Sequence, residues 1–144
     1  MARIKIDFPH PVIAAIKLKV RIGDINYGNH VGNDSFVSLI HEARIQWLQQ
    51  NNFSEMDAGG TGLIMADLGI EFKREAYYGE EILIEIAAGE IARVSFELFY
   101  QLSTERNQEK VILAKAKTGM VCYQYELKKT VSVPDSLQQI LQAK

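Results

Sequence analysis

A chain of 144 residues suits one domain, and 47% hydrophobic against 24% charged residues is ordinary globular composition, which excludes disorder as the main design. Sixteen Lys and Arg against eighteen Asp and Glu leave a net charge of -2, so no cationic field is available to hold a nucleic-acid backbone. The single cysteine, Cys122, makes no internal disulfide, and with three scattered histidines it fits no zinc spacing, so a reducing cytoplasm and no metal are expected.

The N-terminus alternates charged and apolar residues without the apolar core of a secretory signal. No apolar run nears the roughly 20 residues of a membrane span. A soluble cytoplasmic protein with no membrane partner, one domain over residues 1–144, is the expectation. After Pro9-His10-Pro11, Lys17, Lys19 and Arg21 alternate with Leu18, Val20 and Ile22, the period of two of a half-buried strand. From Asp34, Phe36, Leu39, Ile40, Ala43 and Trp47 recur at helical spacing, and Val37, Ile45 and Leu48 widen the apolar surface until the helix reads as largely buried. Asn33 or Asp34 caps its start, and Gln49-Gln50-Asn51-Asn52 marks its end.

Four strand-like segments follow, about 63–73, 82–88, 91–103 and 110–125, with turns at Tyr78-Gly79-Glu80, at Gly89 and at Glu105-Arg106-Asn107. Ile82, Ile84 and Ile86 share one face, as do Val94, Phe96, Leu98 and Tyr100. In the last strand Ile112, Ala114, Ala116 and Thr118 form a face small enough for another element to approach closely. Pro134 opens a short amphipathic helix with Leu137, Ile140 and Leu141 on its apolar side. The class is α+β, a long antiparallel sheet folded around one central helix.

The stretch from Gly23 to Asp34 joins the first strand to the helix and concentrates acid, amide and imidazole groups beside apolar elements. Continued alternation places Asp24 and Asn26 on the core side with Leu18, Val20 and Ile22, unless Gly23 breaks the phase. A carboxylate there is pulled one way by desolvation and the other by hydrogen bonds. On the helix, Ser35, Ser38 and Glu42 form a polar strip, which makes a buried Glu42 an expectation. Backbone N–H groups at Gly32 and Asn33, at the positive end of the helix dipole, are suited to an oxyanion. His41 and Arg44 read as a surface pair or subunit contact, Cys122 as a small core residue, and Lys73, Arg74, Arg93, Lys115 and Lys117 as solvated charges.

The pattern Asp24-x-Asn26-x-x-x-His30-Val31-x-Asn33, followed by His41-Glu42-Ala43-Arg44 on a helix, resembles the hotdog-fold acyl-thioester hydrolases related to 4-hydroxybenzoyl-CoA thioesterase. Gly79 and the helix led by Pro134 extend the resemblance over nearly the whole chain. It implies a curved sheet wrapped around the helix, an acyl-CoA or acyl-carrier-protein thioester substrate, no cofactor, and a homodimer or homotetramer. The chain departs from the family pattern twice. Asn26 stands where many members have a second aspartate as base or nucleophile, and Gly28-Asn29 stands where Gly directly precedes the histidine.

Water attack on the thioester carbonyl is therefore the expected chemistry. His30 or Asp24 activates the water, Asn26 positions it, Glu42 is an alternative base, and the N–H groups near Gly32 and Asn33 hold the oxyanion. The competing readings are a hotdog acyl-thioester dehydratase or hydratase and a non-catalytic acyl-CoA binding protein.

Overall fold

The computed structural model describes residues 3–142. Its strands are β1 (Val12–Lys19), β2 (Gly62–Phe72), β3 (Glu81–Ile91), β4 (Ser95–Arg106), β5 (Glu109–Gln124) and the short β6 (Lys129–Thr130), and its helices are α1 (Asn33–Gln50) and α2 (Asp135–Leu141). All strand pairings are antiparallel in the order β1-β3-β4-β5-β2, with β6 added where β5 outruns β4. One row across the sheet reads Ile16, Ile84, Leu102, Ala114 and Phe72, and the next reads Ala14, Ile86, Tyr100, Ala116 and Ile70. The bulky side chains of β3 and β4 thus stand beside the small ones of β5.

Helix α1 buries Phe36, Leu39, Ile40, Ala43, Arg44, Trp47 and Leu48, spacings of three and four that draw one stripe along the cylinder. Each large apolar side chain in it contributes roughly 1.5–3 kcal/mol on leaving water. The opposite stripe, including Ser38, His41, Glu42 and Gln49, is exposed, so the sheet that curves around the helix leaves that stripe open. Gly32 occupies the N-cap with extended backbone and no side-chain cap, which corrects the expectation of Asn33 or Asp34 in that role. The reason is local: the Gly32 N–H donates to the Asp24 carbonyl at 3.1 Å, which fixes the chain direction and starts the helix at Asn33.

Three further details differ from the sequence reading. Gly89 is not a turn: β3 continues to Ile91 through a bulge, because a Cβ at Gly89 would lie 2.5 Å from the Phe99 ring, and the chain reverses after Ala92 instead. A register shift between Leu102 and Ser103 moves Leu113 into the core and leaves Ile112 half-buried. The β4–β5 connection is a two-residue loop with Asn107 and Gln108 both at positive φ, 54° and 64°, as a type I′ hairpin turn requires. Helix α2 follows Pro134 as expected and buries Leu137 and Leu141, and Cys122 is fully buried in β5.

Candidate functional site

Past β1, Val20 is locked to the segment that precedes β3, its N–H donating to Glu80 O at 2.9 Å and its carbonyl accepting from Gly79 at 3.1 Å. A single 3-10 turn, Ile22–Asp24, then breaks the strand's alternation at Gly23. Ile22, expected inside, is 76% exposed, whereas Asp24 is buried. The Asp24 carboxylate is committed locally: Oδ2 accepts the Arg21 N–H at 2.8 Å, and the Arg21 guanidinium lies 3.6 Å from Oδ1.

The next residues form a miniature hairpin. Ile25 bridges Val31, the Asn26 N–H donates to His30 O at 2.9 Å, and the Asn29 N–H donates to Asn26 O at 3.1 Å. Asn29 takes φ 67°, left-handed backbone for which asparagine is the usual substitute for glycine. The departure from the Gly-His pattern thus preserves the loop, with Asn29 doing the conformational work of the missing glycine.

His30 Nε2 lies 3.0 Å from Glu75 Oε2, and Nδ1 lies 3.2 Å from Val31 O. Both ring nitrogens therefore face oxygen acceptors; a neutral imidazole satisfies one of them and a doubly protonated ring both. The Val31 N–H donates to Ala76 O at 2.8 Å, which holds this hairpin against the segment carrying Glu75. Asn26 Oδ1 accepts the Gly28 N–H at 2.8 Å, which leaves the Nδ2 amide group to donate elsewhere. A Cβ on Gly28 would sit 3.1 Å from His30 Nε2 and 3.2 Å from Asn26 Oδ1, so the imidazole and the amide converge on this glycine.

A cleft of about 190 Å³ opens here, lined by His30, Val31, Asn33, Phe36, Phe72, Lys73, Arg74 and Glu75. The Phe36 and Phe72 rings meet edge to face at 5.4 Å and form an aromatic wall. At the start of α1, the Asn33 N–H has no hydrogen-bond partner among the described residues, whereas the Gly32 N–H is occupied by Asp24 O. Of the two backbone donors expected to hold an oxyanion, Asn33 is available and Gly32 is not.

Asp24 and Glu42 border a different groove, about 520 Å³, on the other flank of α1 with Lys17, Arg21 and Ser38. Glu42 is exposed and accepts a bond from Gln46 Nε2 at 2.8 Å, which corrects its expected burial: the helix turns this strip toward solvent. Arg44 is also corrected. It is 4% exposed and donates to Glu55 Oε2 at 2.8 Å and to Tyr100 OH at 3.1 Å, while His41 reaches the other Glu55 oxygen at 2.8 Å. The structure thus brings Asn26, His30 and Asn33 together and sets Asp24 and Glu42 apart. It adds Glu75, which the sequence reading missed; the polar run Lys73-Arg74-Glu75 ahead of Gly79 was its only trace.

The sequence pattern of the thioesterase-like superfamily matches residues 20–141. The chain belongs to this superfamily. Membership makes it a thioester hydrolase, the activity its motif implied. Solved structures repeat the fold. A 1,4-dihydroxy-2-naphthoyl-CoA thioesterase from Synechocystis superposes with a TM-score of 0.78 at 22% identity, over 88% of this chain and 93% of that one. An aspartate-to-asparagine variant of 4-hydroxybenzoyl-CoA thioesterase, complexed with 4-hydroxybenzoyl-CoA, gives 0.80 at 15% identity, over 90% and 98%. A DHNA-CoA thioesterase from Staphylococcus aureus gives 0.72 at 14%, over 83% and 79%. These likenesses establish a hotdog fold, the curved sheet and central helix expected from the sequence. No curated protein matches the chain in sequence.

Proposed function

We propose that residues 1–144 form one hotdog thioesterase-like domain that hydrolyses an acyl-CoA thioester at the His30 cleft. The observation that carries this reading is the contact of His30 Nε2 with Glu75 Oε2, 3.0 Å, in a cleft that also opens on the N-terminus of α1. A water held between the pair and the thioester carbonyl attacks the carbonyl carbon, and its proton passes to the His30–Glu75 pair. The oxyanion is received by the Asn33 N–H and by Asn26 Nδ2, whose amide oxygen is anchored by Gly28. On collapse, the carbon–sulfur bond breaks, and the thiolate leaves and takes up the stored proton. Asn26 has no carboxylate to form an acyl anhydride, which favours direct hydrolysis over a covalent intermediate.

The assembly is proposed to be a homodimer, or a homotetramer built from dimers. Strand β2 is an 11-residue sheet edge that among the described residues pairs only with β5 and carries the exposed Met65 and Phe72, a surface that pairing with a second copy would complete. A cytoplasmic location accords with the unpaired buried thiol of Cys122, and none of the described helices is long and apolar enough to cross a membrane.

The test is thiol release from acetyl-, hexanoyl- and benzoyl-CoA and from an acyl-carrier protein, with His30→Ala, Glu75→Gln, Asn26→Ala, Asp24→Asn and Glu42→Gln. Loss of an acid–base group or an oxyanion donor should lower turnover about a hundredfold or more. Wild-type rates in His30→Ala and Glu75→Gln, with loss in Asp24→Asn or Glu42→Gln, would move the chemistry to the other groove. Saturable acyl-CoA binding without thiol release would identify a binding protein, and loss of enoyl absorbance without thiol release would identify a hydratase.

A further inference from the structure

We propose that Tyr77 and Arg106 are positioning residues that hold the Glu75 carboxylate against His30, making the segment between β2 and β3 a built part of the site. The inference rests on the His30–Glu75 reading above. Glu75 needs such support because its side chain is 57% exposed, and freezing a glutamate costs more than an exposed ion pair returns. Unsupported, it would spend most of its time in solvent.

The support comes from three directions. The Tyr77 hydroxyl donates to Glu75 Oε1 at 3.2 Å while Oε2 faces His30, so both carboxylate oxygens are held. Arg106, the last residue of β4, donates from one terminal nitrogen to the Glu75 backbone carbonyl at 2.7 Å. Its Nε and the same terminal nitrogen also reach the two oxygens of Glu80 at 2.7 and 2.8 Å. Glu80 in turn accepts the Tyr77 N–H at 2.8 Å, and the Arg106 guanidinium lies 5.2 Å from the Tyr77 ring centroid. The bonds close on themselves: Tyr77 holds Glu75 by its hydroxyl, Glu80 holds Tyr77 by its backbone, and Arg106 holds Glu80, Glu75 and the tyrosine ring to the end of the sheet. The forked guanidinium makes this possible, since a lysine at 106 would offer a point charge and no bidentate geometry.

The electrostatics agree with these roles. The hydrogen bond to Glu75 pushes the Tyr77 phenol above its ordinary range, which keeps it a neutral donor. Arg106 holds the Glu80 carboxyl below its usual range, which keeps the fork's counter-charge in place.

Two measurements test the proposal. The first needs no substrate: carbethoxylation of His10, His30 and His41 by diethyl pyrocarbonate, resolved by peptide mass spectrometry. Tyr77→Phe and Arg106→Lys should accelerate modification of His30 alone, severalfold, and Glu75→Gln should do the same. Unchanged His30 reactivity in both variants would overturn the proposal. The second is turnover of whichever of acetyl-, hexanoyl- and benzoyl-CoA the enzyme accepts. Each variant should lose between about 5-fold and 50-fold in kcat, the scale of a misplaced reacting group, at unchanged KM. In a Glu75→Gln background, Tyr77→Phe should add nothing, because it acts only through that carboxylate. A full additional loss in the double variant would overturn the inference. If His30→Ala and Glu75→Gln keep wild-type rates while Tyr77→Phe still exposes His30 to the reagent, the catalytic reading fails and the positioning stands.

Discussion

Replacing Arg44 by methionine tests how the helix is held to the sheet. Arg44 is 4% exposed, its Nε bonds Glu55 Oε2 at 2.8 Å, one terminal nitrogen bonds Tyr100 OH at 3.1 Å, and Tyr100 OH meets Thr118 Oγ1 at 2.8 Å. Methionine fills comparable volume, so the loss is chiefly electrostatic. Breaking a buried pair by removing one partner costs about 3–5 kcal/mol. The Glu55 side chain keeps 24% of its exposure and His41 at 2.8 Å, which places the expected loss at the lower end, about 3 kcal/mol, or a Tm drop of roughly 6–12 °C for a domain this size. Burial raises the Glu55 pKa, but the hydrogen bonds from Arg44 and His41 outweigh it and hold the carboxyl below its ordinary 4.5. A depressed carboxyl stabilises the fold above its unfolded value and loses that contribution as pH falls through the folded one. Wild-type stability should therefore decline on acidification below about pH 5, and the decline should flatten in Arg44→Met. The assay is urea unfolding at neutral and acidic pH, with the m-value monitored. Arg44→Met/Glu55→Gln should be more stable than Arg44→Met alone, since it removes the stranded charge. A loss under about 1 kcal/mol with an unaltered acid profile would refute the reasoning, because the pair would then behave as a surface contact.

Gly28→Ala should lower thiol release about tenfold with little change in Tm, since the added methyl meets His30 Nε2 at 3.1 Å and Asn26 Oδ1 at 3.2 Å; unchanged turnover would show that these groups need not converge. Gln108→Gly should stabilise the protein by about 0.5–1 kcal/mol in urea unfolding, because Gln108 holds φ 64° where a type I′ turn prefers glycine, and a destabilised variant would contradict the turn assignment. Burial pushes the Cys122 thiol up to about 11, so thiol reagents at neutral pH should label it only as fast as the protein unfolds, and rapid native labelling would contradict its buried place in β5.

Periodicity made most of the fold legible. Ile82, Ile84 and Ile86 and the pair Ala114 and Ala116 lie where an alternating pattern puts them, and α1 buries the residues its spacing selects. What was not legible depended on partners distant in the chain. Arg44 reads as surface because nothing nearby in sequence neutralises it; Glu55 does so, with a hydrogen bond to Tyr100 beside it, only after folding. Glu42 reads as buried if the sheet encloses the helix, but one stripe of α1 remains open. Gly89 looks like a turn, and the reason it is a strand residue lies across the ladder in Phe99. In the site, local sequence identified Asn26, His30 and Asn33, whereas Glu75 is 45 residues from His30 and no periodic pattern connects them.

Asn26 and Glu75 are best understood together. An amide at position 26 removes the carboxylate from the hairpin that follows β1, yet its oxygen is bound to Gly28 and its nitrogen is left as a donor. In the proposed reaction that donor is more useful to a developing oxyanion than a second negative charge would be, because like charges about 3–4 Å apart repel. The negative charge that base chemistry requires is supplied instead by Glu75, which meets the imidazole at Nε2. Restoring the carboxylate by Asn26→Asp would then place two anions around His30 and lose the donor. It should reduce kcat in a protein that retains its fold, and a gain in kcat would return the base role to position 26.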